Sequence, residues 1–194
     1  MTMTAKQWLV ELSDAMREPV CQIKGGAVAA TDAFNEMKRL FIETKRSDKA
    51  VYWVGNGGSA AMCSHLSQDV LNKLGTRTYV LSDTSLLTCM ANDYGYEAVY
   101  AKPLEGLMRE GDLLIAISSS GNSKNILNAV AVAQDKGARC IALSAFDADN
   151  KLNHAGADVS LFLPCALYGH AEVGHEALLH AVIETLWLEN KTNG

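Results

Sequence analysis

The stretch AVYWVGNGGSAAMCSHLSQD, at residues 50–69, gives the clearest indication of the fold class. Its first five residues are apolar and rich in β-branched and aromatic side chains, which predicts a short buried strand. The GNGG turn then ends the strand, and Ser59 is predicted to cap a helix that runs to about residue 74. A strand, a glycine-rich turn and a helix in direct succession predict one unit of a parallel α/β sheet.

A second junction of the same kind follows at residues 113–123, where LLIAI runs into SSSGNS. The apolar run predicts another buried strand, and an alanine-rich helix is predicted over residues 124–136, ended by Gly137. Both polar segments therefore follow the carboxyl ends of strands. Ligands of open α/β sheets bind at that edge, so the two junctions together predict a ligand site.

Strands and helices alternate through the rest of the chain. Further strands are predicted over residues 78–81, 140–144 and 159–163, and further helices over residues 85–90, 104–109 and 171–189. Before the first strand, two helices are predicted within residues 5–46, with breaks near residues 18–19 and 25–26. The pattern predicts a doubly wound, flavodoxin-like α/β fold: a parallel five-stranded sheet with N-terminal helices. We expect one domain over residues 1–194, with its α/β core over about 50–194.

Composition narrows the class of protein. The chain has 194 residues and a formal net charge of −5, which gives no general attraction to nucleic acid or to anionic membranes. Its five cysteines are scattered without a CxxC pair, as in proteins that keep reduced thiols. No signal peptide or membrane-spanning run is evident. We expect a cytoplasmic protein that binds neither nucleic acid nor membrane.

The two junctions carry candidate phosphate ligands. Glycines let the backbone approach a ligand, helix N-termini attract anions, and serine hydroxyls donate hydrogen bonds. A serine-rich turn with a helix cap remains the plain alternative for either junction alone. Neither junction has the lysine of a Walker A loop or GxGxxG spacing, which disfavours a nucleotide. The candidate substrate-binding residues are Asn56, Gly57, Gly58, Ser59, Ser118, Ser119, Ser120 and Ser123.

Four polar residues on two predicted helices form a second candidate site. His65 and Asp69 are one turn apart on the first helix, and Glu172 and His180 are two turns apart on the last. If the helices meet, the four could bind a divalent metal such as zinc, or supply a general acid and a general base. Solvated helix surface is the alternative for each residue alone.

Three segments and one histidine together resemble the sugar isomerase (SIS) family, and specifically its phosphoheptose isomerases. GNGGSAAMCSHLSQD (residues 55–69) is similar to the family's first phosphate loop and catalytic helix, and REGDLLIAISSSGNSKNI (109–126) to its serine loop. ANDYGY (91–96) is similar to its central segment, which adds Asn92 and Asp93 as substrate-binding candidates. His180 stands at the position of the family's C-terminal histidine.

The resemblance implies an isomerase that converts sedoheptulose 7-phosphate into D-glycero-D-manno-heptose 7-phosphate through an enediol. At the family's metal and catalytic positions the usual residues are His, Glu, Gln and His, where this chain has His65, Asp69, Glu172 and His180. It implies zinc at these four residues, with Asp69 as base, His180 as partner acid and base, and Glu172 as the alternative base. Asp69 is one methylene shorter than glutamate, and a displacement of about 1 Å can cost about 100-fold in rate.

The resemblance also implies a homotetramer. Residues 168–171 (YGHA) depart from the family's usual Ala-Asp-Arg pattern, a difference that bears on substrate specificity rather than on fold. Two alternatives remain open on the sequence: an isomerase for another sugar phosphate, and a non-catalytic SIS protein that binds a replication initiator or another partner. The second is disfavoured because such proteins lack the acid that Asp69 provides.

Overall fold

A computed structural model describes residues 3–192 of the chain. The helices are α1 (Ala5–Arg17), α2 (Ala30–Arg46), α3 (Gly58–Asp69), α4 (Thr84–Tyr94), α5 (Ala101–Leu107), α6 (Lys124–Asp135) and α7 (Tyr168–Thr192). The strands are β1 (Val20–Ile23), β2 (Gly26–Val28), β3 (Val51–Val54), β4 (Thr78–Val80), β5 (Leu113–Ser118), β6 (Arg139–Ala145) and β7 (Val159–Leu163).

One mixed sheet organises the described chain, in the order β2-β1-β7-β6-β5-β3-β4. The five strands from β3 to β7 are parallel where they pair with one another. Counted among themselves, they have the order 2-1-3-4-5, which is that of flavodoxin-like doubly wound sheets. The parallel α/β class and this core are therefore confirmed.

The strand count of five is wrong, because the sheet has seven strands. The two additional strands, β1 and β2, form an antiparallel hairpin, and β1 also pairs antiparallel with β7. Lys24 and Gly25 make the turn with φ of 48° and 80°, as a two-residue hairpin with a primed turn requires. The hairpin covers the β7 edge, whose backbone groups would otherwise lack partners. Only the breaks near residues 18–19 and 25–26 hinted at it.

Strands β3, β5 and β6 each contribute alternate side chains to two hydrophobic layers. Trp53 and Ile115 point into the layer formed with α2, α3 and α7. Tyr52 and Leu114 point into the layer formed with α5 and α6. Both faces of the sheet are thus buried, which is why β3 and β5 read as continuous apolar runs. The polar loops are left at the ends of the strands, where the candidate site lies.

Several helix ends differ from those predicted. Ser59 as an N-cap is wrong, because α3 begins at Gly58 after a turn at Gly57, and Ser59 lies in its first turn. The helix then continues as a π-helical turn, Val70–Leu74, which agrees with the predicted end near residue 74.

No helix in the described chain combines the length and hydrophobicity of a membrane span.

Candidate active site

A pocket bordered by serine side chains lies at the carboxyl ends of β3 and β5. Its volume is about 160 Å³, below the roughly 300–1,000 Å³ of sites that enclose a whole drug-sized ligand. It therefore suits one end of a substrate, such as a phosphate group. We call it the serine pocket. Its lining residues are Asn56, Ser59, Ile117, Ser118, Ser119, Ser120, Ser123, Tyr168 and Glu172.

The serine pocket offers neutral hydrogen-bond donors. Ser59, Ser118 and Ser119 are buried, and Ser118 Oγ donates to Ser123 Oγ over 3.3 Å. None of the described residues that line the pocket is cationic. Helices α3 and α6 begin at the two loops, and their N-termini add partial positive charge. An anion bound here would be held by hydroxyl and N–H groups rather than by an ion pair.

The two loops around the pocket are tied together by a pair of amides. Asn56 Nδ2 donates to Asn125 Oδ1 over 3.0 Å, and Asn125 Nδ2 donates back to Asn56 Oδ1 over 2.8 Å. The Tyr96 hydroxyl also donates to Asn56 Oδ1, and the Tyr100 hydroxyl donates to the Gly55 carbonyl. Sequence reasoning missed Asn125, because spacing alone does not reveal a contact between residues 69 positions apart.

Glycine at two positions lets the first loop fold under Glu172. Gly57 has a φ of 56°, in the region that favours glycine. A Cβ atom added at Gly58 would lie only 2.3 Å from Glu172 Oε1, so no larger residue fits without moving that carboxylate. The backbone of α3 and the first turns of α7 therefore meet at Gly58.

A second group of polar side chains lies where α3 and α7 pack together. His65 and Asp69 from α3 and His180 from α7 place one donor atom each within 4.8 Å of one another. His180 Nδ1 is 3.4 Å from Asp69 Oδ2, and the centroids of the two imidazole rings are 5.1 Å apart. Asp69 is buried and His65 is exposed, so the group opens to solvent on one side. The predicted meeting of the two helices is thus observed.

The donor set of this group fits a zinc ion. Four donors at about 2.0–2.1 Å from tetrahedral zinc lie about 3.4 Å from each other, which is the separation found between His180 and Asp69. All three donor atoms lie within 4.8 Å of one another, so small side-chain movements would bring them to one ion. Two imidazole nitrogens and a carboxylate are also ligands that zinc prefers. Three protein ligands leave a coordination position open, as in catalytic rather than structural zinc sites.

Lys73 contacts the same carboxylate from the π-helical turn. Its ammonium donates to Asp69 Oδ2 over 3.0 Å and also to Glu184 Oε1. These hydrogen bonds to Glu184 and Asp69 raise the pKa of Lys73. The lysine therefore stays charged and presents a fixed cation to Asp69. Sequence reasoning missed it, although its spacing of four residues from Asp69 was a usable signal.

Glu172, the fourth predicted metal ligand, lies outside the His65–Asp69–His180 group. Its carboxylate lines the serine pocket and lies over Gly58. Glu172 thus borders the pocket, about two helical turns before His180 on α7. The structure brings three of the four residues together and gives the fourth a place beside the serines.

Asn92 and Asp93 lie at the end of α4 and are exposed. Asn92 Nδ2 donates to Asp93 Oδ1 over 2.9 Å, and Asp93 accepts a hydrogen bond from the Cys89 thiol. Neither residue lines the serine pocket. The nearby contact with the pocket loops is made instead by Tyr96, through Asn56.

A fully buried histidine fixes the middle of α7. His175 Nε2 lies 3.0 Å from the carbonyl oxygen of Ser144, at the end of β6, and no described group pairs with its Nδ1. Burial lowers the pKa of His175 from 6.5 to about 4. The ring is therefore neutral at pH 7 and serves as a structural tie between helix and strand.

Comparison with known proteins agrees with this geometry. The family model for the SIS domain matches residues 23–145. A phosphoheptose isomerase of Sulfurimonas denitrificans is 35% identical over 157 residues, which cover 78% of this chain and 80% of that protein. The phosphoheptose isomerase of Chlorobium phaeovibrioides is 36% identical and covers 76% of this chain and 73% of its own length.

Solved structures extend the similarity to the backbone. The phosphoheptose isomerase from Neisseria gonorrhoeae superposes with a TM-score of 0.77 at 27% identity, over 93% of this chain and 98% of that one. The enzyme from Francisella tularensis shares the fold, with a TM-score of 0.80 at 22% identity, over 95% of this chain and 98% of its own. The match to the family model and the identity to these relatives show that this chain belongs to the SIS family and, within it, to the phosphoheptose isomerases.

Proposed function

We propose that this chain interconverts sedoheptulose 7-phosphate and D-glycero-D-manno-heptose 7-phosphate through an enediol. One observation carries the proposal: α3 and α7 together border the serine pocket and hold the His65–Asp69–His180 group. A sugar phosphate has two functional ends that correspond to these two parts of the site. Its anionic phosphate would bind in the serine pocket, and its carbonyl end would react at the polar group. Membership of the phosphoheptose isomerases supports this substrate class.

The dimensions of α7 support binding at two points. Glu172, beside the serine pocket, and His180, in the polar group, are eight residues apart, which is about 12 Å along a helix. A seven-carbon sugar phosphate bound by its phosphate among the serines would therefore extend along α7 towards His180. Binding energy at the phosphate then positions the distant carbon atoms for reaction.

The reaction moves a proton between C1 and C2. In the ketose-to-aldose direction, Asp69 would remove the C1 proton, and His180 would serve the oxygens as acid and base. The Asp69 carboxylate and the His180 ring are adjacent, at 3.4 Å, so the two roles fall on neighbouring groups. Glu172 is the alternative base that the family resemblance implies, and its carboxylate borders the serine pocket rather than the His65–Asp69–His180 group.

We further propose that zinc is bound by His65, Asp69 and His180. When bound, it would supply polarisation of the sugar carbonyl. Lys73 would keep the Asp69 carboxylate oriented by its hydrogen bond of 3.0 Å. A homotetramer is proposed from the family resemblance, and the exposed apolar side chains of Leu9 and Val10 on α1 are consistent with such packing. The cytoplasmic location stays a prediction.

The proposal is tested by turnover of a panel of five-, six- and seven-carbon ketose phosphates, with and without added zinc, followed by NMR. We expect the seven-carbon substrate to react fastest. Asp69→Asn and His180→Ala should each lower kcat at least about 100-fold, as removal of a general acid or base does. Full activity in both variants would exclude the assigned roles, and turnover of another sugar phosphate alone would reassign the substrate.

A further inference from the structure

An aromatic ring stands at the opening of the serine pocket. Tyr168 is the first residue of α7, and its side chain lines the pocket while remaining 65% exposed. Glu172 lines the same pocket one helical turn later, so the two side chains share one face of α7. The first turn of α7 thus presents a flat ring and a carboxylate side by side, next to the bound anion.

A strained residue supports this ring from behind. Phe146 directly follows β6 and has a φ of 70°, a conformation that is unfavourable for a bulky side chain. Its ring meets the Tyr168 ring edge-on, with centroids 4.9 Å apart and an interplanar angle of 82°, which is a favourable arrangement for two aromatic rings. Strained backbone of this kind is retained where the surrounding structure depends on it.

The chemistry of the pair suits the carbon chain of a sugar phosphate. An aromatic face packs against carbon-bound hydrogens, and a carboxylate accepts hydrogen bonds from hydroxyl groups. The face of the ring is apolar and Glu172 is an acid, so of this pair only the Tyr168 hydroxyl could donate to the phosphate. We therefore expect a ligand held among the serines to present its carbon chain to the ring face and to Glu172, and Tyr168→Phe tests the hydroxyl separately.

We propose that Tyr168 is a specificity-determining residue, which contacts the carbon chain of the substrate next to the phosphate, and that Phe146 is the residue that positions its ring. This inference rests on the proposed function, since it assumes a sugar phosphate in the serine pocket. Among residues 168–171, where the chain departs from the phosphoheptose isomerase pattern, Tyr168 is the residue that lines the pocket.

Isothermal titration separates the sugar from the anion. The equilibrated sedoheptulose 7-phosphate mixture and inorganic phosphate are each titrated into the wild type, Tyr168→Ala and Tyr168→Phe. Tyr79→Ala, which removes an exposed tyrosine of β4 away from the pocket, is the matched control.

In Tyr168→Ala we expect the Kd for the sugar phosphate to rise about tenfold, as for loss of one aromatic contact. The Kd for phosphate should change less than about twofold. Tyr168→Phe and Tyr79→Ala should bind like the wild type.

Steady-state kinetics then separate positioning from folding. Tyr168→Ala should raise KM with little change in kcat, because the contact is made equally in the ground and transition states. Phe146→Ala should raise KM in the same direction, and Phe146→Tyr, which keeps a ring, should restore the wild-type value. Unchanged KM in Phe146→Ala, or no restoration by Phe146→Tyr, would overturn the positioning role.

The titration decides the inference whatever the enzyme does. Unchanged sugar-phosphate affinity in Tyr168→Ala would overturn it, and so would an equal loss of affinity for sugar phosphate and phosphate. A wild type that binds the sugar phosphate without converting it would contradict the proposed function, while the two titrations would still test Tyr168. A wild type that binds no sugar phosphate would overturn both.

Discussion

At the scale of single residues, Gly58 shows how closely the two halves of the site approach. The carboxylate of Glu172 occupies the space that any side chain at Gly58 would need. Glu172 also lines the serine pocket, so its position depends on the absence of one methyl group on α3. Because Gly58 has no side chain, the Glu172 carboxylate on α7 can occupy this position.

We expect Gly58→Ala to disturb the site more than the fold. The added Cβ would lie 2.3 Å from Glu172 Oε1, so the carboxylate must move. Because it is the end of a flexible side chain, it can rotate away, and the free energy of unfolding should change by less than about 1 kcal/mol. Turnover should fall at least about tenfold, because a displaced Glu172 no longer borders the phosphate end. Urea unfolding and kinetics measure the two effects.

Gly106→Ala in α5 is the matched control, because nothing lies within 4 Å of a Cβ added there. It should keep full turnover and gain up to about 1 kcal/mol from the higher helix propensity of alanine. Equal behaviour of Gly58→Ala and Gly106→Ala would refute the close contact.

Site residues could be predicted from the sequence where functional side chains have a recognisable local spacing. His65 and Asp69 stand one helical turn apart, and the serines follow a strand, so both sets were visible in the sequence. Asn125 and Tyr168 were not, because their roles depend on partners distant in the chain, Asn56 and Phe146. Glu172 was found, but its separation from the polar group is set by helix packing that no spacing rule encodes.

At the scale of elements, α7 connects every part of the site. It begins with Tyr168 at the pocket opening, passes Glu172, is tied to β6 through His175, and reaches His180 in the polar group. The buried ring of His175 is neutral when the chain is folded. Its charge state therefore links the docking of α7 to pH.

We expect the free energy of unfolding to fall as the pH drops from about 6.5 to about 4. The unfolded chain binds a proton on His175 at its ordinary pKa of 6.5, whereas the folded pKa is about 4. Since the unfolded state binds more protons in that window, stability rises with pH across it and is complete above about 6.5. One pKa unit corresponds to about 1.4 kcal/mol, which gives a loss of about 3 kcal/mol.

Urea unfolding between pH 4 and pH 7.5 measures this loss, with His175→Gln as the comparison. Glutamine can still donate to the Ser144 carbonyl but does not titrate, so the variant should show a shallower decline over the same window. Other acids titrate in both proteins, and the difference between the two curves isolates His175. Parallel curves would show that His175 does not cause the decline.

The elements that could be predicted best were those that are long or that form continuous apolar runs. The parallel strands β3 and β5 are continuous apolar runs, and both were located to within a residue. The hairpin of β1 and β2 was missed, because strands of four and three residues carry little pattern and because their burial depends on the edge of β7. The only sequence signal for its turn, Lys24-Gly25, was Gly25, which we interpreted as part of a break between two helices.

At the scale of the whole molecule, the strand order determines where the site is. The chain passes from β3 outward to β4 and then returns to β5 on the other side of β3. The carboxyl ends of β3 and β5 therefore form the point at which the winding reverses, and a crevice opens there in doubly wound sheets. The serine pocket takes most of its residues from the two loops at that point, so the strand order alone positions the pocket in which we propose that the phosphate binds.

We propose that Asp69 and His180 move a proton between C1 and C2 of a sugar held by its phosphate in the serine pocket. Proton NMR of sedoheptulose 7-phosphate with the enzyme in deuterium oxide measures that transfer directly. We expect aldose product that carries deuterium at C2 with the wild type, and neither product nor carbon-bound exchange above background with Asp69→Asn. Exchange at the wild-type rate in Asp69→Asn, or no aldose product from the wild type with zinc present, would contradict the claim.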